Sequence, residues 1–235
     1  GETAETLAKQ YGISREEQDL YGVTSQNRYE AAKKRGVIAD EIVPVTLKGK
    51  GGDVVMTADE HARDGVTPPD LAKLAPVFSK DGTVTAGNAS GIADGGAAVL
   101  VMSEAAAKRR GLKPLATIEA YAFSGVDPKV MGLGPVPATH KLLKKTGLKL
   151  DDFDLVELNE AFAAQVLACD RELKFDRARM NVNGGSIAIG HPIGCTGARI
   201  TATLLHEMRR RSAKRGLATL CISGGQGISV SFTAE

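Results

Sequence analysis

The stretch FDLVELNEAFAAQVLACDREL, Phe153–Leu173, reads as a short strand, FDLVELN, running straight into a helix, EAFAAQVLACDREL. That junction sets the fold class, because the same alternation recurs on both sides of it. Upstream, ATIEAYAF (116–123) reads as a strand and PATHKLLKKTG (137–147) as a helix. Downstream, ARITATLLHEMRRRSAKRG (198–216) places apolar residues at 200, 204, 205 and 208, which is one helical face. The chain closes with LATLCI, a turn SGGQG, and ISVSF, where Ile228, Val230 and Phe232 alternate as in a half-buried strand. A layered α/β domain is therefore expected from about residue 115 onward.

Before that point the pattern is less regular. SREEQDLYGVTSQNRYEAAKKRG (14–36) reads as a helix, with Ser14 and Glu17 as a capping box and Gly36 as the stop. EIVPVTLKG and DVVMTAD are short strands around a KGKGG turn, and residues 59–81 read as loop, with prolines at 68, 69 and 76. AAVLVMS (97–103) is an apolar run fit for one buried strand, after which Ser103 caps the helix EAAAKRRG.

The bulk composition excludes several classes. The 235 residues, 43% hydrophobic and 25% charged, suit a soluble globular protein with a sizeable core. A net charge of +2 gives no reason to expect nucleic acid or a membrane surface as partner, and KRR (108–110) and RRR (209–211) read as solvated helix ends. No apolar run approaches the roughly 20 residues of a membrane span. Three cysteines, odd in number and without metal spacing, favour a reduced cytoplasmic setting. The chain opens at Gly1 directly inside a helical pattern, which suggests further sequence upstream.

Three strand-to-loop junctions carry chemistry-bearing side chains. Asn159 stands between strand and helix, where an N-cap is the simplest role, although strand ends are also where α/β sites gather. His191 lies in GGSIAIGHPIGCTGAR (184–199), which holds five glycines. It is either a structural histidine in a tight turn or an imidazole that the glycines allow a ligand to approach. Cys221 ends a strand and faces SGGQG; it is a buried structural thiol or one whose thiolate the turn amides favour. Cys169, within a mostly apolar helix, reads as core. An Asn, a His and a Cys so placed suit acyl chemistry at a carbonyl, with His as base, Asn orienting a water or an oxyanion donor, and Cys moving protons.

NEAFAAQ, NGGSIAIGHPIGCTGAR and CISGGQG resemble the three C-terminal signatures of the thiolases, the acetyl-CoA acetyltransferases and 3-ketoacyl-CoA thiolases. ETAETLAKQYGISREEQD, DEHARDG, LAPVFSKDGTVTAGNASG and MGLGPVPA resemble thiolase segments in the same order. The resemblance implies Claisen condensation of acyl-CoA molecules and the reverse thiolysis of 3-ketoacyl-CoA, with coenzyme A thioesters as substrates and no permanently bound cofactor or metal. It gives His191 the activation of a nucleophilic cysteine and part of an oxyanion hole, Cys221 the α-proton, and Asn159 a bound water. It places Ser90 at the pantetheine amide of coenzyme A, with Ala86, Gly87 and Phe162 along the tunnel, Arg63 near the nucleotide and Met131 in the acyl pocket. Apart from it, Ser90 reads as a turn hydroxyl, Phe162 as core and Arg63 as a solvated side chain.

Two positions depart from the family pattern: Ser223, where glycine is usual and a backbone N–H completes a second oxyanion hole, and Ala93, where asparagine is usual. None of the three cysteines matches the family's nucleophile. The resemblance thus implies the C-terminal part of a five-layer αβαβα fold, one half-core plus most of the loop domain. Residues 1–93 would form the loop domain, 94–114 a returning strand and helix of the N-terminal domain, and 115–235 the C-terminal domain. The N-terminal half would be separate, cleaved or missing, and this chain alone would be inactive; a catalytically incomplete fragment that binds coenzyme A or serves structurally is the alternative. A ketosynthase of the same superfamily is a third reading, which the CISGGQG ending disfavours. The family also implies a homo-oligomer, dimer or tetramer.

Overall fold

The computed structural model describes residues 1–235. Its centre is a parallel pair of strands, β4 (Leu155–Leu158) and β5 (Arg215–Ile222), with Leu155 beside Gly216 and Leu158 beside Thr219. From β5 the chain reverses into β6 (Gln226–Ala234), which pairs antiparallel both with β5 and with β3 (Ala116–Gly125). The sheet is therefore mixed, in the order β3-β6-β5-β4.

Alternation along the strands divides the core into two layers. Val156, Leu158 and Leu217 point to one face, against Leu142 of α5 (Pro135–Thr146) and Val166, Leu167 and Leu173 of α6 (Ala163–Leu173). Leu155, Ala218 and Phe232 point to the other, against Ile200, Leu204 and Met208 of α8 (Thr196–Arg211). Each fully buried aliphatic side chain of this kind contributes about 1.5–3 kcal/mol. Gly216 lets α8 close on the sheet: a Cβ there would stand 2.5 Å from Met208 Sδ.

The first 113 residues wrap this layered unit. After α1 (Glu2–Tyr11), α2 (Arg15–Lys34) starts at the expected capping box: Ser14 Oγ accepts from Glu17 N at 3.1 Å, and Glu17 Oε2 accepts from Ser14 N at 2.8 Å. β1 (Val45–Leu47) and β2 (Val54–Met56) form a two-stranded hairpin around the KGKGG turn, followed by the short α3 (Pro68–Ala72). α4 (Glu104–Arg109) is capped by Ser103 as expected. No helix is long and apolar enough to cross a membrane.

Two expectations need correction. AAVLVMS is not a buried strand: residues 97–103 run without regular structure, and Leu100 is 82% exposed. A strand needs neighbours for its N–H and C=O groups, and none lies alongside this segment. The helix after β4 begins at Ala163, with Phe162 at the N-cap, so Asn159 caps nothing. Its side chain is committed elsewhere.

Candidate active site

The C-terminal ends of β4 and β5 set the site. Asn159 N donates to Thr219 O at 3.0 Å, continuing the parallel ladder one residue past β4, while Cys221 lies two residues beyond Thr219 on β5. The side chain of Asn159, 1% exposed, reaches into the glycine-rich stretch. Ser186 Oγ, on the short helix α7 (Ser186–Ile189), lies 2.6 Å from Asn159 Oδ1, and Asn159 Nδ2 lies 3.3 Å from His191 Nε2. Strand end and histidine turn are thus joined directly.

His191 is held on three sides. Its backbone N–H donates to Gly91 O at 2.9 Å, and its Nδ1 is 2.7 Å from Thr196 Oγ1 at the start of α8. The preceding Gly190, at φ 91°, supplies a left-handed conformation, and a Cβ on it would come within 2.6 Å of the Ala93 methyl. The departure Ala93 therefore packs on the histidine turn. Burial, and secondarily the Arg199 guanidinium, depress the His191 pKa, so the imidazole is neutral at pH 7. An open groove of about 380 Å³ lies between residues 93–97 and residues 192–195, the turn that follows the histidine.

Cys221 stands near the end of β5, opposite Gly227 of β6. Burial pushes its thiol up to about 11, so it is protonated through the neutral range. Beyond it, Gly224 (φ 86°) and Gly225 (φ 89°) carry the left-handed conformations of the turn, and Ser223 does not. An L-residue therefore fits at Ser223 without strain. Cys169 is fully buried on α6, where its Sγ donates to Gly132 O at 3.2 Å, the core position expected of it. Cys195 is also buried, at the N-cap of α8.

The residues suggested for coenzyme A fall into groups. The loop 85–90 lies along the start of α6: Ala163 N donates to Asn88 O, Ala89 and Phe162 form a β-bridge, and Ser90 donates to Ala161 O through both its N–H (3.0 Å) and its hydroxyl (2.9 Å). This brings Ser90 and Phe162 together, with Phe78 edge-on to Phe162 at 6.0 Å, while Gly87 faces α3, where a Cβ on it would stand 2.7 Å from Leu71 Cγ, and Ala86 is exposed. Met131 lies in the 3₁₀ turn Pro128–Leu133, against the turn at Gly225. Arg63 stands apart, exposed; its backbone N–H donates to Gln26 of α2, and its guanidinium makes no ion pair.

Sequence reasoning missed four side chains that shape the site. Thr196, Ser186 and Arg199 all lie in the same glycine-rich stretch as His191, and Arg199 Nη2 reaches Ser186 Oγ at 2.8 Å. Glu160, 1% exposed, accepts from Tyr21 (2.9 Å) and Ser25 (2.6 Å) of α2, Asn181 (3.0 Å) and the N–H of Ile187 (3.2 Å), fastening α7 to α2 and β4. A charged residue one position after a polar strand end was the available signal for Glu160.

Comparison with known proteins now bears on this geometry. Residues 1–105 match the family model for the thiolase N-terminal domain, and residues 112–234 that for the thiolase C-terminal domain. The chain is 59% identical over 230 residues to the acetyl-CoA acetyltransferase of Shinella zoogloeoides, covering 98% of this chain and 59% of that protein, and equally close to that of Paracoccus denitrificans. Among solved structures, it superposes on the Bacillus anthracis acetyl-CoA acetyltransferase with a TM-score of 0.98 at 52% identity, covering all of this chain and 60% of that one. The human mitochondrial 3-ketoacyl-CoA thiolase in complex with CoA gives 0.91 at 50% identity, covering 58% of that chain. The chain thus spans about three fifths of the length of these relatives. It carries sequence of both family domains, which corrects the expectation of a C-terminal part whose N-terminal half resides elsewhere. Nor do the comparisons support the companion expectation that the chain alone is an inactive fragment.

Proposed function

The chain belongs to the thiolase family, and from that premise we propose that it transfers acyl groups between coenzyme A thioesters, by Claisen condensation and by thiolysis of 3-ketoacyl-CoA. The observation that carries this reading is the neutral, desolvated His191 held against Asn159 at the end of a parallel strand. A neutral imidazole can take the proton of an attacking thiol. Once protonated, it can donate to the thioester oxygen as negative charge develops there, beside the Asn159 amide. Cys221, protonated at rest, gives its proton to the α-carbon in thiolysis and is left as a thiolate; in condensation, the reverse step, that thiolate takes the α-proton and the thiol is restored. The N–H groups of the Ser223 turn face the oxyanion of that second step. Ser90, Ala86, Gly87 and Phe162 line the path of the pantetheine arm, Arg63 meets the nucleotide and Met131 the acyl group.

The test is consumption of acetoacetyl-CoA on addition of CoA, by the wild-type protein and by His191→Ala. Wild-type turnover with loss of about a thousandfold or more in the variant, at unchanged circular dichroism, is the expected outcome. Wild-type protein that leaves acetoacetyl-CoA intact, or a variant that keeps its rate, overturns the assignment.

A further inference from the structure

We propose that Ser186 and Arg199 are positioning residues that fix which way round the Asn159 amide sits, and thereby hold His191 in the tautomer whose Nε2 carries the lone pair. The claim deepens the proposed acyl transfer and rests on it for its catalytic meaning, but the geometry behind it is independent.

Ser186 is fully buried, and its hydroxyl has two side-chain neighbours. Arg199 Nη2, at 2.8 Å, can only donate, so it occupies a lone pair of Oγ. The hydroxyl proton then has a single acceptor within reach, an Asn159 side-chain atom at 2.6 Å. Were the amide reversed, Ser186 Oγ would face two donors while its own buried proton pointed at none, at a cost of about 1–3 kcal/mol. Arg199 and Ser186 therefore select Oδ1 toward Ser186 and Nδ2 toward His191. An amide N–H pointing at Nε2 requires a lone pair there, so the imidazole proton resides on Nδ1, donated to Thr196 Oγ1 at 2.7 Å. The Thr196 hydroxyl in turn donates a hydrogen bond to Pro192 O at 3.0 Å, so every bond of this hydrogen-bonded chain has one donor and one acceptor.

The hydrogen-bonded chain also brings charge to bear. Arg199 is the cation that disfavours imidazolium at His191, and buried Glu157 of β4 stands 3.9 Å behind it. From the loop side the histidine turn meets His61, whose Nδ1 lies 2.9 Å from Ala188 O.

The experiment is two-bond ¹H–¹⁵N correlation NMR of histidine-labelled protein without substrate, on wild type, Ser186→Ala, Arg199→Met and Arg199→Lys. With four histidines in the chain, His191→Ala assigns the signal. Wild type should show the Nδ1–H tautomer. Ser186→Ala, which removes one oxygen from a buried site and leaves the packing intact, should shift the ratio about fivefold toward Nε2–H, the equivalent of one neutral hydrogen bond. Arg199→Met should do the same and raise the titration midpoint of His191; Arg199→Lys should restore the midpoint. A wild-type Nε2–H tautomer, or a ratio unmoved by Ser186→Ala, overturns the proposal. Because no substrate is present, the spectra decide it even if the acyl-transfer reading fails. If that reading holds, Ser186→Ala should lower kcat about tenfold with KM little changed.

Discussion

At the scale of single residues, the site pairs two groups whose surroundings drive them to opposite ends of the pH range. Burial first, and then the Arg199 charge, disfavour the imidazolium of His191, so its pKa lies below the ordinary 6.5. In the proposed reaction the neutral form is the base, so activity should be lost as pH falls through that depressed value, with the acid limb of kcat/KM below 6.5. An acid limb centred above 7 would show that the imidazole is not desolvated as described. Cys221, raised to about 11, stays a thiol across the plateau, so no basic limb from it is expected below about pH 10. The two groups also separate by step. Cys221→Ser should abolish carbon–carbon bond formation and cleavage yet leave exchange of labelled CoA into acetyl-CoA within about tenfold of wild type, because exchange moves no α-proton. Equal loss in both assays would count against a proton-moving role.

At the scale of elements, the position of Cys221 depends on how closely β6 approaches the turn before α5. Cys221 pairs with Gly227, and a Cβ on Gly227 would stand 2.0 Å from Gly134 O and 2.1 Å from Gly134 C. Both are backbone atoms and cannot swing aside. Gly227→Ala should therefore cost about 3 kcal/mol or more in urea unfolding, whereas Gly224→Ala, with open space around it and only its φ of 86° to offend, should cost about 1. Comparable losses would show that backbone conformation, not close approach, governs this hairpin. The same contrast between local and distant causes explains what could be read from the chain. The α2 capping box was legible because both partners lie within three residues. The start of α6 was not, since Asn159 and Glu160 spend their polar atoms on Ser186, His191, Tyr21 and Ser25, up to 139 residues away. AAVLVMS misled for the same reason: an apolar run shows that a strand is possible, and only its neighbours make it one. His191, Asn159 and Cys221 stood out as chemical side chains at breaks between elements. The side chains that hold His191, Asn159 and the turn between them, Thr196, Ser186, Arg199 and Glu160, acquire their roles only when separate segments pack.

At the scale of the whole molecule, packing α2, β4 and α8 together gathers carboxylates that the sequence keeps far apart. Glu157, 3% exposed, is driven up to about 8, first by burial, with Arg199 opposing and Glu160, Glu41 and Glu207 adding to the rise. Glu41, which accepts from Thr203 at 2.7 Å, is likewise raised by burial, while Glu207 is lowered by Asn183 and two arginines that outweigh its burial. The consequence for stability has a definite sign. Folded Glu157 keeps its proton up to about pH 8, whereas the unfolded chain releases it near 4.5. Between those values the folded state binds the extra proton, so its contribution is complete below 4.5 and is lost as pH rises through 8. Glu157→Gln holds the neutral shape at every pH. Its melting temperature relative to wild type should therefore climb from pH 5 to about pH 8 and level off above it, while Glu207→Gln, which removes a carboxylate stabilised in its charged form, should carry a constant deficit across that range that shrinks only as pH falls below 4.5. Parallel wild-type and Glu157→Gln curves would mean that Arg199 holds Glu157 ionised in the fold, and that the guanidinium reaching Ser186 is neutralised from behind.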